Sequence, residues 1–295
     1  MLKRGVYAAS LSVLNKDLTL NVEATISHGE NLIKNGCTGV FFMGSTGQAQ
    51  LCSVDSKKEL ISKIASHKQR KQFFIGLGVN SLSDSISLIK YANEYEINKE
   101  ILIGAPAYYR NNSDQGVFNF FKRIISECPK VKIVIYNFEK LFHYKFSIEA
   151  VTNLVNTFPK QIVAVKDSSY NLYENLKIKD FLVYPGSEAK LLKGLEHGCA
   201  GCISAVTNVT HSLARKVFDD FESKTPQTKN EQLIKVRETF DNYNLISALH
   251  TYHSIKDDNY KNILPPLTLL SDEKQKELIE KLNKLKFTSE KNLAA

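Results

Sequence analysis

A lysine at the end of an apolar run is the residue in this sequence best placed for covalent chemistry. Ile162-Val163-Ala164-Val165 leads into Lys166-Asp167-Ser168-Ser169, so the run reads as a short buried strand with Lys166 where it leaves the core. Taking an ammonium out of water favours the neutral amine, and a neutral amine attacks ketones. The alternative is a lysine whose stem lies along the strand end while its charge stays in water. Spacing alone favours that alternative, because buried cations are rare and usually partnered. Tyr136, in Ile135-Tyr136-Asn137-Phe138, either fills a core with its hydroxyl satisfied or shuttles a proton beside a nucleophile. Gly44-Ser45-Thr46-Gly47-Gln48 could present hydroxyls and backbone N–H groups to a carboxylate, or be a turn whose hydroxyls bond locally. Tyr108-Tyr109 reads as surface stacking or a subunit contact. Gly186-Ser187-Glu188 reads as a helix N-cap with an acid at the positive end, or as groups that bind the hydroxyls of a polyol.

Other chemistries are excluded by spacing. No Gly-Lys-Ser/Thr follows Gly44 as a P-loop requires, and Gly76-Leu77-Gly78 lacks the third glycine of a dinucleotide fingerprint. Five cysteines, Cys37, Cys52, Cys128, Cys199 and Cys202, are an odd number in a chain of 295 residues, which argues against a disulfide framework. Cys199 and Cys202 form one CxxC without a second pair or a nearby histidine, so buried thiols are expected there and no metal site. The seven histidines, His250 and His253 among them, show no metal or triad spacing. The net charge of +8 is spread as lysines among acids, as from Asp272 to Lys291. That pattern suits solvated helix faces and argues against nucleic acid, while a mildly positive field favours small anions. There is no apolar run long enough to span a membrane and no convincing signal-peptide core, so a cytoplasmic protein is expected.

The elements that must position these residues alternate. Apolar or β-branched runs occur at Gly5–Ser10, Gly39–Phe42, Phe73–Leu77, Ile101–Ile103, Val131–Tyr136, Ile162–Lys166, Phe181–Tyr184 and Gly201–Ile203. Between them lie amphipathic stretches of helical length: Asn21–Lys34, Val54–His67, Leu82–Glu94, Gln115–Glu127, Ser147–Asn156 and Glu188–His197. Strands each followed by a helix imply a parallel sheet, and eight such units fit an α/β fold of the (β/α)8 TIM-barrel class, with a doubly wound open sheet as the alternative. Helices are then expected at Val209–Glu222, Asn230–Leu249 and Ser271–Leu285, the last two separated by Pro265-Pro266. The expected organisation is a catalytic barrel over residues 1–222 with a C-terminal helical extension, residues 223–295, packed on it. In such barrels the C-terminal strand ends carry the chemistry. Lys166 closes the sixth strand and Tyr136 the adjacent fifth, which places both at one end and within reach of each other.

The order of motifs decides what the residues left open. Gly44-Ser45-Thr46-Gly47 follows strand two, Tyr108-Tyr109 strand four, and Tyr136-Asn137 lies on strand five. Lys166-Asp167-Ser168-Ser169 lies on strand six, Gly186-Ser187-Glu188 after seven, Gly201-Cys202-Ile203-Ser204 on eight, and Leu264-Pro265-Pro266-Leu267 near the end. This series, from Gly5 to the last helix, resembles the dihydrodipicolinate synthase / N-acetylneuraminate lyase family of class I pyruvate aldolases. The resemblance implies that Lys166 forms a Schiff base with pyruvate or a 2-keto acid and that Tyr136 shuttles protons. It implies that Ser45 and Thr46, with backbone N–H groups at Gly47, hold the pyruvyl carboxylate. By the same resemblance Tyr109, which in this family often comes from a neighbouring subunit, would complete a hydroxyl relay. The resemblance also implies that Ser168, Gly186 and Glu188 would line the substrate and that the Ile203 carbonyl would face the pyruvyl end. The resemblance further implies no metal or organic cofactor, and a homotetramer built as a dimer of dimers.

Departures from the family pattern bear on the substrate. The synthases usually carry an arginine five positions after the shuttle tyrosine; here that position is Leu141, and the usual proline is Glu139. An aliphatic side chain does not replace a guanidinium fork, and Lys140 or Lys145 would offer different geometry. Leucine there and the serine of Gly44-Ser45-Thr46 are similar to sialic acid lyases and keto-deoxy sugar acid aldolases. The sialic acid lyases, however, look for two successive acids after strand seven and a hydroxyl after strand eight, where this chain has Glu188-Ala189 and Ala205. Each missing partner leaves a sugar hydroxyl unpaired, at roughly 1–3 kcal/mol if buried. The expected reaction is therefore reversible cleavage of a 2-keto-3-deoxy sugar acid, or a sialic-acid-like substrate, to pyruvate and an aldehyde. The alternatives are 4-hydroxy-tetrahydrodipicolinate synthesis from pyruvate and aspartate semialdehyde, a dehydratase acting on a keto-deoxy sugar acid, and a non-catalytic keto-acid-binding relative. Gln48 departs from the family's usual Glu without an evident consequence at this level.

Overall fold

A computed structural model describes residues 2–95, 97–98 and 100–287. Eight parallel strands form the frame: β1 Gly5–Ala9, β2 Gly39–Phe42, β3 Phe73–Gly76, β4 Glu100–Gly104, β5 Lys132–Asn137, β6 Ile162–Asp167, β7 Leu182–Pro185 and β8 Gly201–Ser204. They pair in the order β7-β6-β5-β4-β3-β2-β1-β8. At the remaining seam, Ala200 N donates to Val183 O at 2.9 Å, so the sheet curls into a nearly closed TIM barrel. The open-sheet alternative is excluded, because β1 lies beside β8 as well as β2.

Helices α1 Val22–Lys34, α2 Val54–Ala65, α3 Leu82–Glu94, α4 Asp114–Glu127, α5 Glu139–Phe142, α6 Ile148–Thr157, α7 Leu191–Glu196 and α8 Thr207–Glu222 connect and cover the strands. Helices α9 Asn230–Asp241, α10 Leu245–Ser254 and α11 Asp272–Lys284 follow. Local sequence sets many starts: Ser53, Ser81, Ser113, Ser147 and Ser271 each accept from the amide three residues on. Such caps are worth about 1 kcal/mol apiece. The stretch expected as one helix over Asn230–Leu249 is two, because Asn244 accepts from Ser247 N at 3.2 Å and starts α10 anew. The stretch expected as a helix from Glu188 opens instead as a 3-10 turn, Glu188–Lys190, capped by Ser187.

The lower barrel is plugged by aromatic rings. Tyr7 meets Phe41, Phe74 and Tyr184 edge-on, with ring centroids 5.9, 5.7 and 5.7 Å away, and both tyrosine hydroxyls donate to Lys3 O at 2.8 Å. This fills the N-terminal end and leaves the strands' C-terminal end for polar groups. The last three helices pack there and alongside: Val236, Phe240, Leu249 and Leu278 share a core with Leu11 and Val13 after β1 and with Val209 on α8. Residues 288–295 of the expected extension lie outside the described residues. Among the described residues no helix is long and apolar enough to cross a membrane.

Candidate active site

The chemistry-bearing residues meet at the C-terminal end of the barrel. Strands β5 and β6 run in register with Tyr136 opposite Lys166 and Asn137 opposite Asp167, while Lys166 is also opposite Tyr184 on β7. Lys166 is 3% exposed, and its Nζ lies 4.3 Å from the centroid of the Tyr136 ring. The Tyr136 hydroxyl and Ser45 Oγ are 3.0 Å apart, within hydrogen-bond reach. The amine, the phenol and the serine hydroxyl therefore form one row from β6 through β5 to the loop after β2, buried at Lys166 and Tyr136 and half-buried at Ser45. The ring of Phe142 on α5 packs edge-on against Tyr136 at 5.2 Å. That approach requires Gly104, where a Cβ would lie 2.3 Å from the Phe142 ring. A small cavity of about 20 Å³ adjoins Ser45 and Tyr136 on the β3–β4 side, enough for about one water.

The next residue on each strand braces the row. Asp167 Oδ1 accepts from Asn137 Nδ2 at 2.8 Å, and Oδ2 accepts from the amides of Leu172 and Tyr173 at 2.8 and 3.0 Å. Asn137 also donates to Asn171 Oδ1 at 2.8 Å and accepts from Phe146 N at 3.1 Å. Burial pushes the Asp167 carboxyl up, and these hydrogen bonds pull it back. The clamp ties together the loops after β5 and β6, so neither Tyr136 nor Lys166 can swing away without breaking it. Sequence reading quoted Asn137 and Asp167 but missed this role; their adjacency to Tyr136 and Lys166 was the available signal.

The loop after β2 is a tight turn. Gly47 N donates to Gly44 O and Gln48 N to Ser45 O, both at 3.1 Å, and Ser12 Oγ donates to Gly47 O at 2.6 Å. Thr46 is buried beside Ser45. Ser168 and Gly186 meet across the β6–β7 loops so closely that a Cβ on Gly186 would lie 2.8 Å from Ser168 Cα. Ile203 is buried on β8, opposite Tyr7.

Two expected site residues lie elsewhere. Tyr109, with Tyr108, projects from the loop after β4 and is 73% exposed; among the described residues no hydrogen bond joins it to Tyr136 or Ser45. Glu188, expected to line the substrate, is engaged inside the protein. It is 0% exposed; Oε1 accepts from Thr210 Oγ1 at 2.9 Å, and Oε2 accepts from Arg237 at 3.0 Å and from Ser204 Oγ. A carboxylate whose two oxygens are engaged inside the protein has little left for a sugar hydroxyl. Arg237 arrives from α9, remote in sequence, and its Nε also donates to Asp241 at 2.8 Å. The buried thiols behave as the spacing suggests: burial pushes Cys199 up to about 12 and raises Cys202 well above the usual thiol range.

Known proteins match this arrangement over most of the chain. The model of the dihydrodipicolinate synthetase family matches residues 2–285. A 4-hydroxy-tetrahydrodipicolinate synthase of Methanosphaera stadtmanae is 25% identical over 70% of this chain and 71% of its own. A 2-dehydro-3-deoxy-D-gluconate/2-dehydro-3-deoxy-phosphogluconate aldolase of Picrophilus torridus is 26% identical over 77% and 86%. A solved structure of a dihydrodipicolinic acid synthase family protein from E. coli K12, in complex with pyruvate, superposes with a TM-score of 0.88 at 20% identity, covering 98% of this chain and 100% of that one. With the eight-stranded barrel and the buried lysine on its sixth strand, the match over residues 2–285 settles the point: the chain belongs to the dihydrodipicolinate synthetase family, whose members are lyases and aldolases.

Proposed function

We propose that this protein is a Schiff-base aldolase that reversibly cleaves a 2-keto-3-deoxy sugar acid to pyruvate and an aldehyde. The observation that carries this is the Lys166–Tyr136–Ser45 row, with Tyr136 in register beside Lys166 and 3.0 Å from Ser45. The Lys166 amine adds to the ketone and water leaves, giving an imine. Protonated, the imine accepts the electron pair released when the neighbouring carbon–carbon bond breaks. Tyr136, having passed its own proton on through Ser45, takes the proton from the departing aldehyde's hydroxyl and delivers it to the carbon of the enamine left on Lys166; water then hydrolyses the resulting imine, releasing pyruvate and the free amine. The pyruvyl carboxylate would meet the Ser45 and Thr46 amides and hydroxyls, since the Gly47 and Gln48 amides already donate within the turn. Ser168, Gly186 and the Ile203 carbonyl line the rest. Tyr109 joins the relay from a neighbouring subunit in a tetramer, which accords with its exposure in the single chain.

Two features favour a short sugar acid. Leu141 stands 39% exposed on α5, and the nearby Lys145 is held by Glu139 at 3.0 Å, so neither supplies the fork that a second carboxylate would need. The engagement of Glu188 by Arg237, Ser204 and Thr210 removes the acid that a long polyol would use. The test is a substrate panel read as pyruvate release, with Lys166→Ala as control. Release from 2-keto-3-deoxy sugar acids, absent in the control, is the expected result. Turnover of pyruvate only with aspartate semialdehyde would instead make it the synthase, and no turnover across the panel would overturn the proposal.

A further inference from the structure

Gln48 ends the carboxylate loop in a left-handed conformation, φ 55° and ψ 30°, unusual for a residue with a side chain. Its side chain is buried and doubly engaged: Oε1 accepts from Leu264 N at 2.8 Å, and Nε2 lies 3.3 Å from His250 Nε2. The other ring nitrogen, His250 Nδ1, lies 3.0 Å from the carbonyl of Tyr260. A carbonyl only accepts, so Nδ1 carries the proton; Leu264 N only donates, so the Gln48 oxygen faces it and the Gln48 NH2 faces His250. His250 Nε2 must then be the bare acceptor, and the imidazole is neutral.

From these contacts we infer that Gln48 is a positioning residue: it seats the carboxylate loop on α10 and the Leu264 segment, and its amide keeps the charge of that buried joint at zero. A carboxylate of the same shape would accept from both neighbours and so require a second proton on His250. The titratable groups facing His250 are His28 from α1, His253 from its own helix and Tyr260 from the turn before Leu264. His28 is itself held neutral, donating from Nε2 to Asn208 Oδ1 at 2.8 Å and accepting at Nδ1 from the Tyr260 hydroxyl at 2.7 Å. With no cation among these neighbours, an acid at position 48 would depend on His250 alone for its counter-charge. The inference rests on the proposal that this loop holds the pyruvyl carboxylate.

The test is saturation of borohydride trapping by pyruvate in wild type, Gln48→Ala and Gln48→Glu, with ring-15N NMR of His250 assigned through His250→Asn. In wild type, His250 should show one protonated nitrogen, Nδ1, from about pH 6 to 8. Gln48→Ala should raise the half-saturating pyruvate concentration about tenfold, which is about 1.4 kcal/mol or one hydrogen bond. Gln48→Glu should restore near-wild-type saturation at low pH, with His250 doubly protonated, and lose it as pH rises and that proton leaves. If Gln48→Ala does not fold, the Gln48→Glu profile decides. No trapping in wild type would overturn the Schiff-base proposal and this inference together. Trapping in wild type with half-saturation unchanged in Gln48→Glu at every pH, or a doubly protonated His250 in wild type, would overturn this inference alone.

Discussion

Acidification should unlock the joint between the barrel and its C-terminal helices before it protonates most carboxylates. His28 and His250 are buried, and burial pulls both down from 6.5 to about 4. His253 and His211 are lowered too, for the same first reason. Each folded-state value lies below the unfolded one, so the unfolded chain takes up protons first. Stability contributed by the neutral rings is complete above about pH 6.5 and is lost as pH falls toward 4. For a shift from 6.5 to about 4 the full loss is about 3 kcal/mol per ring. Between pH 7.5 and 5.5 the two rings together should cost about 3 kcal/mol, a large share of an ordinary folding stability. Urea unfolding followed by circular dichroism at stepped pH reads this directly. His250→Asn should flatten part of the slope, since that side chain can still donate to the Tyr260 carbonyl but does not titrate. A wild-type midpoint that stays level or rises from pH 7.5 to 5.5 would refute the reasoning.

Two further substitutions probe the site and its frame. Tyr136→Phe keeps the ring that packs on Phe142 and removes the hydroxyl that meets Ser45. Pyruvate release should fall by about 10²–10⁴ while unfolding changes by about 1 kcal/mol; a rate within a few-fold of wild type would remove Tyr136 from proton transfer. Arg237→Met leaves the Glu188 carboxylate buried with hydroxyl partners only, which should cost about 3–5 kcal/mol in unfolding free energy. Adding Glu188→Gln should recover most of that loss, and a double variant as unstable as the sum of the singles would show that the pair is not coupled.

The frame was legible in the sequence because each strand is a short apolar run and each helix a longer amphipathic one; β2 and α3 run over the very residues expected. The break between α9 and α10 was not, because Asn244 acts through a side-chain bond to Ser247 N that periodicity does not register. Lys166, Tyr136 and Ser45 were legible as a set because each lies near the C-terminal end of a strand or in the loop just after one. Their braces were harder to see. Asp167 and Asn137 stood beside them, but the clamp through Asn171 depends on how two loops fold back. Glu188 sat at the right strand end for a substrate ligand, yet Arg237 from α9, far along the chain, claims it. The same distance hid the meaning of Gln48, whose partners His250 and Leu264 lie more than 200 residues on.

The most direct measurement of the central claim is borohydride reduction in the presence of pyruvate, followed by intact mass and peptide mapping. One reduced pyruvyl group per chain, carried on Lys166 and absent from Lys166→Ala, is the expected result. An unmodified chain, or a modification on any other lysine that persists in Lys166→Ala, would contradict it.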